Sequence, residues 1–264
     1  MLDLDALHAL LDAGGGSDRA FADAMIRMAW SRSSDREERA ELERLHAALP
    51  AAARRSHAAL RTRIAELSFR GAALRRHFDD VPRFERDHFV EEVLGVAYPP
   101  LQEPALAPES LGYAPSGYEE IVHAFDVTGL APGDRFFDVG SGMGKAVMLA
   151  ELLAGATSSG VECDGALHGL AERASHELGL REARFHHGDA RDAVIEDADV
   201  VFMYLPFTGR ALTTVMARLM ENGRRRPPRW RRRFLCAGPL DTNRYPELVA
   251  AGSSKSWLHV YSWR

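Results

Sequence analysis

Lysine is nearly missing from this chain: Lys145 and Lys255 are the two lysines among 33 basic residues, and the rest are arginine. Beside abundant Ala and Gly this reads as a GC-rich coding bias, and no function attaches to it. Cysteine is equally scarce. Cys163 and Cys236 are too few for a disulfide framework or a thiolate zinc site, and a reducing cytoplasm is the simplest setting. No apolar run reaches the roughly 18 residues that a membrane helix needs. The opening stretch MLDLDALHALLDAGGG has no basic n-region and carries early aspartates, so it does not read as a signal peptide. A global basic field is missing too. The net charge of −5 gives no broad electrostatic footprint for nucleic acid. What is present suits a soluble chain with a real core: 264 residues, 46% hydrophobic and 27% charged.

Residues 1–97 read as a helical region. Leu2, Leu4, Leu7, Leu10 and Leu11 precede a break at Gly14, Gly15 and Gly16. A second helix covers about 18–30, and a third runs from Asp35 to Leu49 and Pro50. A fourth carries Leu60, Ile64 and Leu67, whose spacing predicts one apolar face. Plain packing is the bland reading of such stripes; substrate gating or dimerisation is the sharper one. A proline-rich segment follows, with Pro99, Pro100, Pro104, Pro108 and Pro115, and reads as an extended linker.

From about 117 the pattern alternates. Helices are expected at 117–130, 145–153, 165–178 and 210–220. Strands are expected at 135–139, 159–162, 183–187, 198–205 and 234–238, with a last one at 256–263. Such alternation predicts an α/β fold over 98–264, a doubly wound Rossmann-like and mostly parallel sheet, with the helical region as its extension. In these sheets ligands sit beyond the carboxyl ends of the strands.

Just after the first expected strand stand Asp138, Val139, Gly140, Ser141, Gly142, Met143 and Gly144. Alternate glycines let the backbone turn sharply and let a ligand approach it closely. A phosphate-binding P-loop is excluded, because Val139 falls where the first glycine belongs and Ala146 where Ser or Thr belongs. The dinucleotide fingerprint fails as well, because Lys145 takes the third glycine's place. What remains is G-x-G-x-G preceded by an acid. An unliganded turn is the bland alternative. Two further acids fall at strand ends. Glu162 lies 24 residues after Asp138, where a carboxylate can accept from ribose hydroxyls. Asp189 follows the third strand. Each alone reads equally well as a solvated loop residue; three in order point to one ligand.

These residues resemble class I S-adenosylmethionine-dependent methyltransferases. Nearest is the non-SET histone-lysine methyltransferase family of the disruptor-of-telomeric-silencing type, with its bacterial relatives. The likeness covers about 98–263 and rests on Tyr113 to Ile121, Phe137 to Gly144, Gly160 to Glu162, and Gly188 with Asp189. It implies S-adenosylmethionine as cofactor, bound by Tyr113, Ser116, Asp138, Gly140, Ser141, Gly142, Gly144, Glu162, Cys163, Asp189 and Ala190. Tyr113 and Ser116 fall where that family contacts the methionine end, with Ser116 in place of a usual threonine. Asp189 falls where the family meets the adenine amine. One departure stands out. Amine-methylating relatives place Asn or Asp after the fourth strand, whereas this chain reads Met203, Tyr204, Leu205, Pro206, Phe207. Histone-lysine specificity is therefore not implied, and a small-molecule acceptor is the expectation.

Methyl transfer from a sulfonium is an in-line displacement, so the protein mainly positions the reactants and excludes water. Tyr204 is the expected catalytic residue, an orienter rather than a base given an ordinary pKa of about 10. His186, His187 and Asp241 are the other candidate bases. His186, His187, Asp189 and Asp192 do not match a metal-ligand spacing, and no metal is expected. Residues 224–233 hold seven arginines and Trp230. That run reads either as a solvated face or as a patch for a polyanionic partner, which would suit a protein or nucleic-acid acceptor. A module that binds the cofactor without turnover is the remaining reading. The acceptor and the oligomeric state are not specified by the sequence.

Overall fold

The structure is a computed structural model that describes residues 15–101, 109, 111–193, 195, 197–204, 206–225, 233–237, 244–250 and 258–263. The chain divides into two compact units, residues 1–103 with 176–179, and 104–175 with 180–264. No helix among the described residues is long and apolar enough to cross a membrane.

The first unit contains α1 (Gly16–Arg32), α2 (Arg36–Ser56), α3 (Ala58–Ala65), α4 (Gly71–Asp79) and α5 (Arg83–Leu94). Asp35 starts α2, its side chain accepting from the Glu38 N–H at 2.8 Å. The helix then runs through Pro50 to Ser56, beyond the expected stop at Leu49. Proline lacks an N–H and normally ends or kinks a helix. Here the apolar stripe continues on both sides of it. Leu42, Leu45, Leu49 and Ala53 all pack against Ala22 and Ile26 of α1, and that burial outweighs one lost backbone bond. Leu67 departs from the expected stripe. Ile64 is fully buried, but Leu67 lies past the end of α3 with φ 61° and is 56% exposed. Its N–H donates to the Ile64 carbonyl and that of Ser68 to Arg63, a left-handed helix stop where glycine is usual.

A buried ionic cluster ties this unit together. The Glu92 side chain is fully buried. It accepts from Arg19 Nε at 2.6 Å and Nη2 at 2.7 Å, contacts His57 Nε2 at 2.9 Å, and accepts from the Tyr98 hydroxyl. Burial alone would raise its pKa. The bonds from Arg19, His57, His88 and Tyr98 outweigh burial and hold it well below the carboxylate range.

The second unit is built around β1 (Arg135–Val139), β2 (Thr157–Glu162), β3 (Ala183–His187), β4 (Val200–Met203), β5 (Arg233–Ala237), β6 (Leu248–Ala250) and β7 (Leu258–Trp263). Its helices are α6 (Tyr118–Thr128), α7 (Lys145–Leu149), α8 (Gly165–Glu177) and α9 (Gly209–Arg225). The sheet order is β3-β2-β1-β4-β5-β7-β6. Strands β1 to β5 are parallel, and β7 runs antiparallel between β5 and β6. This is the expected doubly wound α/β sheet. β6 was not anticipated: it is three residues long, with Val249 and Ala250 exposed, and leaves little apolar pattern. The helix after the glycine turn also differs, since α7 passes into a π turn over Ala150–Ala154.

The inner strands read as apolar runs because both faces are covered. On one face Phe137, Val139, Val201, Met203 and Phe234 pack with Val215, Met216 and Leu219 of α9. On the other, Phe136 meets Phe125 of α6 edge-on, with ring centroids 5.5 Å apart. The chain leaves β1 toward β2 and β3, then returns to β4 on the opposite side. The carboxyl end of β1 is thus the point where strand order reverses.

Candidate cofactor site

A cavity of about 310 Å³ opens at that reversal point, within the size range of small-molecule sites. The turn after β1 forms its floor. The Gly140 and Ser141 N–H groups both donate to the Val161 carbonyl, at 3.0 and 2.9 Å, pinning the turn to β2. Gly140 and Gly142 have φ of 82° and 54°. A Cβ on Gly140 would stand 2.3 Å from Pro206 Cβ, and one on Gly142 would stand 2.4 Å from the Tyr113 ring. The glycines therefore let the 113–116 segment and the loop after β4 close onto the turn.

Glu162, at the end of β2, is oriented by two backbone donors. The Gly142 N–H bonds one carboxylate oxygen and the Asp164 N–H the other, each at 2.8 Å. Asp138 lies beside it and is 4% exposed. Burial and the neighbouring Glu162 charge push the Asp138 carboxyl up to about 8. Two close acids in a buried site cannot both ionise cheaply, which holds the proton on Asp138. Asp189 stands on the third side. Bonds from the Arg191 side chain and backbone hold its pKa below the ordinary value, against a smaller effect of burial.

The cavity wall brings together Tyr113, Ser116, Asp138, Gly140, Ser141, Gly142, Glu162, Cys163, Asp189, Ala190 and Tyr204. Of the expected site residues, Gly144 is the one outside this wall. It holds φ 79° at the start of α7, and a Cβ there would meet the Phe185 ring at 2.4 Å, so its glycine serves packing behind the turn. His186 and His187 are also off the wall; both are exposed, and His187 Nε2 lies 3.2 Å from the Cys163 carbonyl. Asp241 lies outside the described residues. So does the centre of the arginine run, 226–232; of Arg224 and Arg225 the backbone alone, in α9, is described.

Two wall residues, Lys145 and Asp164, and a capping residue off the wall, Glu109, were not anticipated from the sequence. Lys145, noticed only as a broken fingerprint, is 5% exposed and lines the cavity. Asp164 accepts from the Ala166 and Leu167 N–H groups at 2.8 and 3.2 Å, starting α8; its place before a glycine-led helix was the available signal. Glu109 has no local signal at all. Its carboxylate accepts from the N–H groups of Arg210 and Ala211 at 3.0 and 2.8 Å, capping α9 from 101 and 102 residues away. The Thr208 N–H also donates to the Glu109 carbonyl, and the Leu111 N–H to the Pro206 carbonyl. Among the described residues no group of three His, Cys, Asp or Glu is placed to hold a metal.

The arrangement fits an adenosyl ligand. Glu162 offers a fixed acceptor for a diol, Asp189 an acceptor farther along the sheet, and Gly142 and Tyr113 a close-walled floor between. Residues 113–224 match the family described as Histone methylation protein DOT1. An RNA methyltransferase from Salinibacter ruber, solved with S-adenosyl-L-homocysteine, is 22% identical with a TM-score of 0.47, over 57% of this chain and 92% of that one. A SAM-dependent methyltransferase from Thiobacillus denitrificans, also solved with S-adenosyl-L-homocysteine, is 21% identical with a TM-score of 0.39, over 49% of this chain and 51% of that one. TrmN from Thermus thermophilus is 20% identical with a TM-score of 0.45, over 55% and 48%. The chain thus spans about half the length of the last two. Among curated proteins, none matches the chain.

Proposed function

We propose that this chain, a class I S-adenosylmethionine-dependent methyltransferase, methylates a small-molecule acceptor in the cytoplasm. The observation that carries the acceptor class is the wall after β4. Tyr204, Pro206 and Phe207 line the cavity there, and the sequence from Met203 to Phe207 holds no amide or carboxylate to accept from an amine nitrogen. Such a wall suits an acceptor held by shape and by one hydroxyl.

When bound, the cofactor supplies a methyl group on a sulfonium already activated for displacement. The chain's work is placement. Glu162 would hold the ribose, Asp189 the base, and Tyr113 with Ser116 the methionine end. Tyr204, half-buried and stacked on Phe202 with ring centroids 6.2 Å apart, would orient the acceptor. Phe207 and Pro206 exclude water from the same end.

The family match from 113 to 224 supports a second reading, a protein side chain as acceptor. One experiment separates the two. Purified protein is given labelled S-adenosylmethionine and a cell extract split into small-molecule and protein fractions. Label in the small-molecule fraction, lost on mixing in excess S-adenosylhomocysteine, is the expected result. Label confined to protein lysines would overturn the small-molecule reading and favour the second.

A further inference from the structure

Helix α1 carries apolar residues on two sides. Ala22 and Ile26 are buried and face the core of the helical unit. A second row runs along the outside: Asp18, Phe21, Met25, Met28 and Arg32, spaced three, four, three and four residues apart. That spacing puts all five on one stripe of the helix. Phe21 is 58% exposed and Met28 46%, while Met25 is half-buried and packs on the edge of the core. Asp18 and Arg32, at the two ends of the stripe, are exposed. An aligned apolar row with charged ends is a contact surface, unlike apolar residues scattered singly.

The stripe is complementary to itself. Met25 stands seven residues from both Asp18 and Arg32. A two-fold axis through Met25, with the helices antiparallel, therefore sets each Asp18 opposite the partner's Arg32. Phe21 then lies beside the partner's Met28, and Met25 beside the partner's Met25. Each charged end is about 10 Å from the axis at 1.5 Å per residue. The three-four spacing favours a shallow crossing of about 20°, which keeps those ends within reach. A parallel pairing would instead set like charges together. Asp18 has room for the contact: it accepts from the Gly15 N–H at 2.9 Å, and a carboxylate offers about four acceptor positions. Both charges also suit the dipole of α1, but that role does not require them to stand in line with Phe21 and Met28.

We propose that α1 is a self-association surface: two copies of this chain pair through the Phe21, Met25 and Met28 stripe, antiparallel, in a register set by Asp18 and Arg32. A second copy is the occupant because the stripe carries its own complement, as a two-fold interface must. The apolar row supplies the affinity. The exposed ion pairs add little to it and mainly choose the direction. One helix pair is a small interface, under about 1,200 Å², so the dimer is weak, with a dissociation constant on the order of tens of micromolar. The inference stands on the helical unit alone and does not depend on the methyl acceptor.

The test is sedimentation velocity of the full chain from about 5 to 500 µM at low salt, where surface charges act most strongly. Wild type should pass from monomer to dimer across that range. Phe21→Ser and Met28→Ser should each stay monomeric. Asp18→Arg and Arg32→Asp should each weaken the dimer about tenfold, because two symmetry-related contacts turn repulsive at once. The double variant Asp18→Arg with Arg32→Asp should regain the dimer, since it only exchanges the two charges. All four side chains are exposed, so melting curves should match wild type. A wild type that stays monomeric throughout would overturn the proposal. So would a dimer that Phe21→Ser and Met28→Ser leave intact, or a double variant no tighter than the single ones. A monomeric wild type that dimerises once residues 1–13 are removed would assign the stripe to that leading segment, and the proposal would fall.

Discussion

Replacing Asp138 by asparagine should change how stability depends on pH, by an amount the structure sets. The Asp138 carboxyl titrates near 8 in the folded chain, raised by burial and by Glu162. An unfolded aspartate titrates near 3.9. The folded state therefore holds a proton that the unfolded state has lost at every pH between these values. With more protons bound in the native state, stability falls as pH rises, by about 1.4 kcal/mol per unit. The contribution is fully present below about 3.9 and gone above about 8, a total of order 5 kcal/mol across the window. Asparagine keeps the shape and has no proton to lose. The assay is urea unfolding of wild type and Asp138→Asn at half-unit steps from pH 6 to 9. The eleven histidines titrate in both proteins, so their contribution cancels in the difference. Wild type should lose stability relative to Asp138→Asn as pH rises from 6 to 8, and the difference should level off beyond. Two parallel curves would refute the reasoning, because they would mean that Asp138 is already ionised in the folded chain at pH 6.

Three further outcomes are expected. Gly142→Ala puts a methyl 2.4 Å from the Tyr113 ring at a residue with φ 54°, so S-adenosylhomocysteine affinity by calorimetry should drop at least tenfold while the fold survives by circular dichroism. Glu92→Ala strands the Arg19 guanidinium in the helical unit and should cost about 3–5 kcal/mol in denaturant unfolding, the range for a broken buried ion pair; a loss under 1 kcal/mol would mean that water or His57 readily takes over. Tyr204→Phe should leave cofactor affinity unchanged and lower turnover with the identified acceptor about tenfold, read as a fall in kcat; a change confined to cofactor binding would place Tyr204 at the wrong end of the cavity.

Legibility in the sequence followed the range of the interactions. The apolar residues Phe136, Phe137 and Val139, and the run Val200–Met203, announced buried parallel strands because burial on both faces demands apolar side chains. Asp138, Glu162 and Asp189 were readable because a strand's end and a following turn are local events. The continuation of α2 through Pro50 was not, because it depends on α1 packing alongside. Leu67 could not be told from a third stripe residue, since the left-handed stop it adopts normally carries glycine. Arg191 sat two positions from a recognised acid, yet nothing in its spacing announced that it folds back onto Asp189. The same holds more strongly for Glu109, whose partners are over a hundred residues on.

Glu109 has a practical consequence for anyone trimming this chain. The stretch that matches the family begins at 113, an inviting place to cut. A fragment starting there would keep every residue expected to bind the cofactor and still lose the carboxylate that closes the first turn of α9. Two backbone N–H groups beside Pro206 and Phe207 would then need new partners, and the acceptor side of the cavity would be the first part to loosen. Such a fragment should therefore hold cofactor and turn over poorly, a phenotype easily mistaken for a lost catalytic residue.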